Sequence, residues 1–442
     1  MNFKRILLYL FLFIFFFCIS YFVLAIFADQ VWIYGFGYNI SRGLVPYRDF
    51  NMIVTPLYSF IMAFFIKIFG NHISIYFFVN SFLSCFLFYF MYKKIKYNAL
   101  LFVPYFLYLS YNGYNFLSFF LLFILLYLYK EEFRNKNFIL GIIVGLMILT
   151  KQTVGGCVFV AMFFLIKKKN KYIIGVFIPC LLFLIYLIYN DAFFNFMDYC
   201  FFGMFDFTGS NGVYLFLPFE LFFICLLLYL FFTKQVDKSV FIPLSFQIIS
   251  APIFDVFHVL SGVVVCIYYL FERFRVHNIF KITMLVYIFL ILSICVESLN
   301  ISMYLYDDKK SFLYGKELII GSKLLDNICR IYDEGKKEYD NVFMFSDLSY
   351  LTKLNLNYTT NKFDLINDGN MGYNGEKRFI KEINDTCDNG SCLFIIDKMY
   401  VDIMNGIEKM PNTNQTNLGI IKYVDSEYNL VNSEFGLNIY SN

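Results

Sequence analysis

Ionisable residues are scarce along this chain, and three groups of them stand where chemistry can be done. The first lies in Asp29–Pro56, DQVWIYGFGYNISRGLVPYRDFNMIVTP, directly after the first hydrophobic segment. It holds Asp29, Arg42, Arg48, Asp49 and the only Trp. A carboxylate in a partly dry interface pocket can act as a general base, because desolvation raises its pKa toward neutrality. By position alone, Asp29 reads as the polar end of a helix at the water boundary. Arg42 and Arg48 carry the forked donors that grip phosphate, and lipid headgroups attract the same side chains. The second group is LTKQTVGG, 149–156, where Lys151, with Gln152 beside it, interrupts an apolar run. A charge at membrane depth costs about 2.5–3.5 kcal/mol on insertion scales. Lys151 therefore marks either a site or a turn whose side chain reaches the interface. The third group is APIFDVFHVL, 251–260. Asp255 and His258, three apart, share a helix face. They are either a polar pair capping a helix or part of a site, and two ligands alone fall short of a metal centre.

The elements that must position these residues are hydrophobic. Of 442 residues 60% are apolar, 22% aromatic and only 16% charged, with a mean hydropathy of +0.63. Soluble domains are usually about 45–50% apolar and about 25% charged, so the class is polytopic membrane protein. A net charge of +3, with no basic patch interleaved by aromatics, gives no footing for nucleic acid. The eleven cysteines fall mostly inside apolar runs and show no metal-binding spacing. Cys387 and Cys392, flanking DNGS, could form a disulfide. The run from Ile6 to Ala28 is longer than a signal-peptide core of about 7–15 residues, which predicts an uncleaved first helix.

A span needs about 20 apolar residues, fewer when tilted or broken. Candidate segments fall near 6–28, 55–70, 73–92, 98–129, 138–150, 153–166, 172–190, 213–233, 239–253, 258–271 and 279–299. The 98–129 stretch is too long for one straight span, and Asn112-Gly113 is the expected break, with one half interfacial or re-entrant. Basic clusters at Lys130–Lys136, Lys167–Lys171, Lys234–Lys238 and Arg273–Lys281 fall on alternate connections and mark the cytoplasmic side. Asp29–Pro56, Lys151, the 191–212 loop and Asp255–His258 then face outward. Lys93, Lys94 and Lys96 violate this count: either the charge rule fails there or a helix is miscounted. From about Tyr304 the composition turns polar. A helix over 316–332 and strands at 341–345, 392–396 and 419–424 are expected, forming a small extracytoplasmic α/β domain. The division is thus 1–303, a transmembrane domain of about eleven helices with a first outer loop at 29–54, and 304–442. The NDGNMGYNG loop, 367–375, either touches a glycan or simply connects elements.

A helix, then Asp, an aromatic stretch ending in G-x-x-P-Y-R-D-F, and a Pro-led second helix closing on Phe-Gly together resemble the GT-C superfamily of integral-membrane glycosyltransferases. The residues are Asp29, Gly43 to Phe50, Pro56 and Phe69-Gly70. The G-x-x-x-G-x-x-x-L-T-K-Q run through Gly141, Gly145, Lys151 and Gln152, and the D-x-x-H of Asp255 and His258, are similar too. The resemblance covers roughly residues 1–300. It implies a polyprenyl-phosphate-linked sugar donor in the membrane lipid, a glycan, lipid or protein acceptor, and inverting transfer. It implies Asp29 as the base, with Asp49 as fallback, and Arg48, Lys151 and His258 on the lipid phosphate. Many relatives carry a second acid after the first. Gln30 stands there in this chain, so a divalent metal is not indicated. The competing expectation is a polyprenyl-lipid or polysaccharide transporter component. Transporters favour paired repeats and polar residues at the midplane, whereas this chain shows no repeat and gathers its ionisable residues at one face. An O-antigen-type polymerase or ligase would want arginines in a large central outer loop, and 191–212 has neither Arg nor Lys.

Overall fold

The computed structural model describes residues 3–22, 28–205, 216–251, 254, 256–274, 323–345, 371–398, 401, 418–434 and 436–442. The expected segment 279–299 and the acid Asp255 lie outside the described residues.

The helices run back and forth between two ends of one bundle. Helix α1 (Phe3–Phe22) packs antiparallel to α4 (Ser74–Ile95): Tyr9 meets Tyr89 at 5.5 Å and Tyr21 meets Phe77 at 5.8 Å. At Lys96 the backbone turns through a left-handed φ of 52°. A 3-10 segment (Lys96–Phe102) and α5 (Val103–Leu109) then run back. Together they rise roughly 25 Å, at about 2.0 Å per 3-10 and 1.5 Å per α residue. This leg lies antiparallel to α13 (Val256–Arg273), with Phe102 on Phe271 at 5.9 Å and Tyr108 on Phe257 at 5.7 Å. Asn112 breaks the chain as expected. Its side chain accepts from Asn115 N and caps α6 (Gly113–Lys130). The stretch 98–129 thus contributes two opposed legs rather than one span plus an interfacial half.

The charged end of the bundle is joined by ion pairs: Lys94–Glu131 at 2.8 Å, Lys130–Glu272 at 2.8 Å and Arg273–Asp237 at 3.5 Å. Lys94 therefore sits with the Lys130 and Arg273 clusters, and the apparent violation was a miscounted helix. The helix at fault is α3 (Leu57–Phe69). It buries Tyr58, Ser59, Met62, Ala63 and Ile66 along one face and exposes Phe64, Lys67 and Ile68 on the other. Its rings touch Tyr186 at 5.4 Å and Phe78 at 6.1 Å, both near the opposite end. It lies across that end, paired with α2 (Ala28–Ser41), and does not traverse the bundle. The expected loop 29–54 accordingly begins as helix, with Asp29 in the first turn of α2.

Helices α7 (Lys136–Ile148) and α8 (Gln152–Leu165) are joined by a three-residue turn. Helix α9 (Lys169–Tyr189) packs along α7 through glycines. A Cβ on Gly141 would strike Tyr172 O, and one on Gly175 would strike Phe138 O. This is the small-residue contact by which membrane helices approach closely. A short helix α10 (Phe193–Met197) and a π turn (Asp198–Phe202) follow. Helix α11 (Leu217–Phe232) returns to the charged end. From there α12 (Phe241–Phe246), between 3-10 turns Lys238–Val240 and Gln247–Ser250, climbs back beside α13. By length and composition, three stretches of the described residues are long and apolar enough to cross a membrane: Ser74–Leu109, which is α4 with its returning leg, Gly113–Lys130 and Lys169–Tyr189.

The C-terminal residues build a four-stranded sheet in the order β1-β2-β4-β3. Its strands are β1 (Asn341–Phe345), β2 (Cys392–Asp397), β3 (Asn429–Glu434) and β4 (Leu437–Ser441), β1 pairing parallel to β2 and the others antiparallel. Helices α14 (Lys323–Glu338), α15 (Gly375–Cys387) and α16 (Leu418–Glu427) accompany it. The expected strand at 419–424 is the helix α16. Its β-branched residues suggested a strand, but Ile420, Ile421 and Val424 bury one helical face. Cys387 and Cys392 are joined in a disulfide.

Replacing Gly175 by Leu must push α7 and α9 apart. Overpacking of this kind costs about 1–3 kcal/mol. Thermal unfolding in detergent should show a midpoint several degrees below that of the wild type.

Candidate active site at the turn between α7 and α8

Helices α7 and α8 have 13 and 14 residues, each about 20 Å long at 1.5 Å per residue. That is roughly two-thirds of a hydrocarbon core of about 30 Å. Their connecting turn, Leu149–Lys151, is therefore recessed into the bundle. Thr150 Oγ1 donates back to Leu146 O at 2.8 Å, and Lys151 adopts an extended conformation before α8 begins. The segment after PYRDF roofs this turn. Thr55 Oγ1 donates to Ile148 O at 2.8 Å, and Leu57 N donates to Leu149 O at 2.8 Å. Gln152 Nε2 donates both to Ile53 O at 3.2 Å and to Cys200 O at 3.0 Å. Motifs a hundred residues apart in sequence thus form one structure.

Lys151 Nζ donates to Asn115 Oδ1 at 3.0 Å and to Ile249 O at 3.0 Å, and stands 6.0 Å from the Tyr114 ring. Asn115 Nδ2 lies 3.5 Å from His258 Nε2, donating to it when the imidazole carries its proton on Nδ1. Asn115 therefore links two residues that sequence singled out separately. Tyr114 in turn contacts Trp32 at 6.0 Å, one turn after Asp29 on α2. The backbone of Asp29 is thus on the helix that abuts the Lys151 cluster, while its side chain lies outside the described set.

Arg48 and Asp49 are engaged with each other. Arg48 Nε and Nη2 donate to Asp49 Oδ1 and Oδ2 at 2.8 and 3.0 Å, and Val45 N donates to Oδ2 at 2.7 Å. The carboxylate raises the pKa of the Arg48 guanidinium above its ordinary value. These donors engage both oxygens of Asp49. Its evident work is to hold the turn in which Tyr47, at φ 70° and fully buried, donates to Val54 O at 2.8 Å. Arg48 Nη1 reaches toward Asn190 O at 3.5 Å. Arg42 is exposed at the end of α2, with its guanidinium 5.7 Å from the Tyr38 ring.

Three side chains escaped the sequence reading. Asn115 belongs to the only polar cluster in 98–129, NGYN, which in sequence marks only a break. Glu220, the single acid in the 213–233 run, is buried and accepts from Ser250 Oγ at 2.5 Å, next in sequence to the Ile249 carbonyl that holds Lys151. Asp198 anchors the C-terminal loop. Among the described residues no group of three metal-ligating side chains occurs.

No family model matches the chain, and no curated protein matches it. Among solved structures, the fold is similar to the crystal structure of ArnT from Cupriavidus metallidurans bound to undecaprenyl phosphate. The TM-score is 0.56 at 9% identity, over 99% of this chain and 98% of that one. The chain therefore shares the overall fold of that structure.

Replacing Asn115 by Leu removes one of the acceptors of Lys151 and the contact to His258. Loss of a hydrogen bond to a charged group costs about 1.5–3 kcal/mol, so the purified variant should melt below wild type. Asn115→Gln, which keeps the amide, should lose less.

Proposed function

We propose that this protein transfers a sugar from a polyprenyl-phosphate carrier to a cell-surface glycan, lipid or protein acceptor, at the outer face of the cell membrane. The observation that carries the reading is the meeting of the 45–57 segment with the Lys151–Gln152 turn, fastened by Gln152, Thr55 and Leu57. It joins the segment after PYRDF to the Lys151 turn, at the end of the bundle opposite the ion-paired end. The ArnT-like fold, in a structure holding undecaprenyl phosphate, supports a polyprenyl-phosphate partner.

In this reading Lys151, oriented by Asn115 and Ile249 O, and His258, through Asn115, hold the carrier phosphate. Arg48 and Arg42 stand toward the water side, and Gln152 fixes the roof. Asp255, three residues before His258, is assigned to the same pocket. Asp29 takes the proton of the acceptor hydroxyl as its oxygen bonds to the anomeric carbon. The bond from that carbon to the phosphate oxygen breaks, and the carrier leaves as a phosphate monoester. Attack opposite the leaving group inverts the anomeric centre. Cations on the leaving phosphate stabilise the charge that develops there. Asp49 is the second choice of base, its fork with Arg48 giving it a structural task first.

Lys94, Lys130, Lys136 and Arg273 gather at one end, the cytoplasmic one by the positive-inside rule. The Cys387–Cys392 disulfide fits the oxidising exterior, since such bonds are rare in the cytosol. A crossing by 279–299 would bring the C-terminal sheet to that outer face as an α/β domain over 304–442.

Replacing Asp29 by Asn, with insertion and carrier binding intact, should lower transfer by about 100-fold or more, the usual contribution of general base catalysis. Transfer at the wild-type rate would remove Asp29 from the mechanism. Translocation of lipid-linked sugar in reconstituted vesicles without a new glycosidic bond would favour the transporter instead.

A further inference from the structure

The loop before α15 is fastened to the membrane-embedded half of the molecule. Arg378 Nη1 lies 2.7 Å from Asp198 Oδ2, and Tyr373 N donates to Asp198 Oδ1 at 3.0 Å. Arg378 Nη2 also donates to Met371 O at 2.5 Å, which fixes the guanidinium across the loop. Asp198 is only 17% exposed as a side chain. Gly372 sits at φ 82°, and a Cβ there would collide with the Asp198 carboxylate. The loop is thus shaped to admit this one acid.

Asp198 opens the π turn Asp198–Phe202. Two residues on, Cys200 O accepts from Gln152 Nε2, and Cys200 Sγ lies 3.6 Å from Met52 O. Gln152 also holds Ile53 O. A continuous set of contacts therefore runs from Arg378 through Asp198 and the π turn to the roof over Lys151. Both Nε2 hydrogens of Gln152 go to carbonyls of two different segments, so if Cys200 moves, one end of this tie is released.

We propose that Asp198 and Arg378 form a positioning latch through which the C-terminal sheet holds the 50–57 roof closed over the Lys151 pocket. It rests on the donor-phosphate reading of that pocket. Asp198 touches no reacting atom; it acts through Cys200 and Gln152.

The test compares Arg378→Met, Arg378→Lys and Gly372→Val in the full-length protein in nanodiscs. Hydrogen exchange is followed in peptides covering 50–57 and 198–202, and affinity is measured for undecaprenyl phosphate. Loss of hydrogen bonds to a charged group corresponds to about a tenfold change in a local opening equilibrium. Arg378→Met and Gly372→Val should speed exchange in both peptides and weaken affinity by about that factor, with the β1–β4 peptides unchanged. Arg378→Lys, which keeps the charge, should restore most of the protection. Unchanged exchange at 50–57, identical behaviour of the Met and Lys variants, or unchanged affinity despite faster exchange would each overturn the latch. Exchange needs no turnover, so a wild type that transfers no sugar would defeat the functional proposal while leaving the measured coupling intact.

Discussion

A positive charge carried below the surface of an apolar bundle is the constraint on which the rest depends. The Asn115 amide and the Ile249 carbonyl meet the half-buried Lys151 ammonium there. Each of those acceptors needs a break in regular helix. Asn115 is available because Asn112 starts α6 afresh, and Ile249 because 247–250 tightens into a 3-10 turn. Lys151 itself stands in an extended turn between two short helices. Irregular backbone at membrane depth is tolerated where it is buried in protein or lines a cavity, and here three breaks converge on one ammonium.

The aromatic surplus serves the same geometry. Trp32 on Tyr114, Phe36 on Phe50 and Tyr47 against Phe196 pack α2, the PYRDF turn and α10 around the cluster. Glycines do the opposite work between α7 and α9, drawing the two helices together at Gly141, Gly145 and Gly175, while α9 runs on to the end where Asn190 meets Arg48.

Much of this was legible in sequence. Lys151 stood out because a lysine in an apolar run has no bland interior environment, and the Asn112-Gly113 break announced itself by chain length. What stayed hidden was three-dimensional. Hydropathy alone cannot distinguish α3, lying across the bundle end with Lys67 outward, from a traversing helix. The error there carried into the apparent misplacement of Lys93, Lys94 and Lys96. The 3-10 leg from Lys96 was concealed because tighter winding lets fourteen residues do the work of a longer α-helix. Asn115 and Glu220 look like isolated polar residues in sequence, because their partners come from elements thirty or more residues away. In the C-terminal part, strand propensity in GIIKYV lost to the helical spacing of Ile420, Ile421 and Val424. The hairpin of β3 and β4 turned on Gly436, at φ 76°.

The central claim is that the Lys151 cluster receives a lipid-borne phosphate. The most direct test is equilibrium binding of undecaprenyl phosphate to nanodisc-embedded protein, wild type against Lys151→Met, with correct folding of both checked by their melting transitions. The account predicts saturable binding by the wild type and a loss of at least about tenfold in the variant, as expected when a charge-assisted contact worth about 1.5–3 kcal/mol is removed. Equal affinity in the two proteins, or no saturable binding by the wild type, would contradict it.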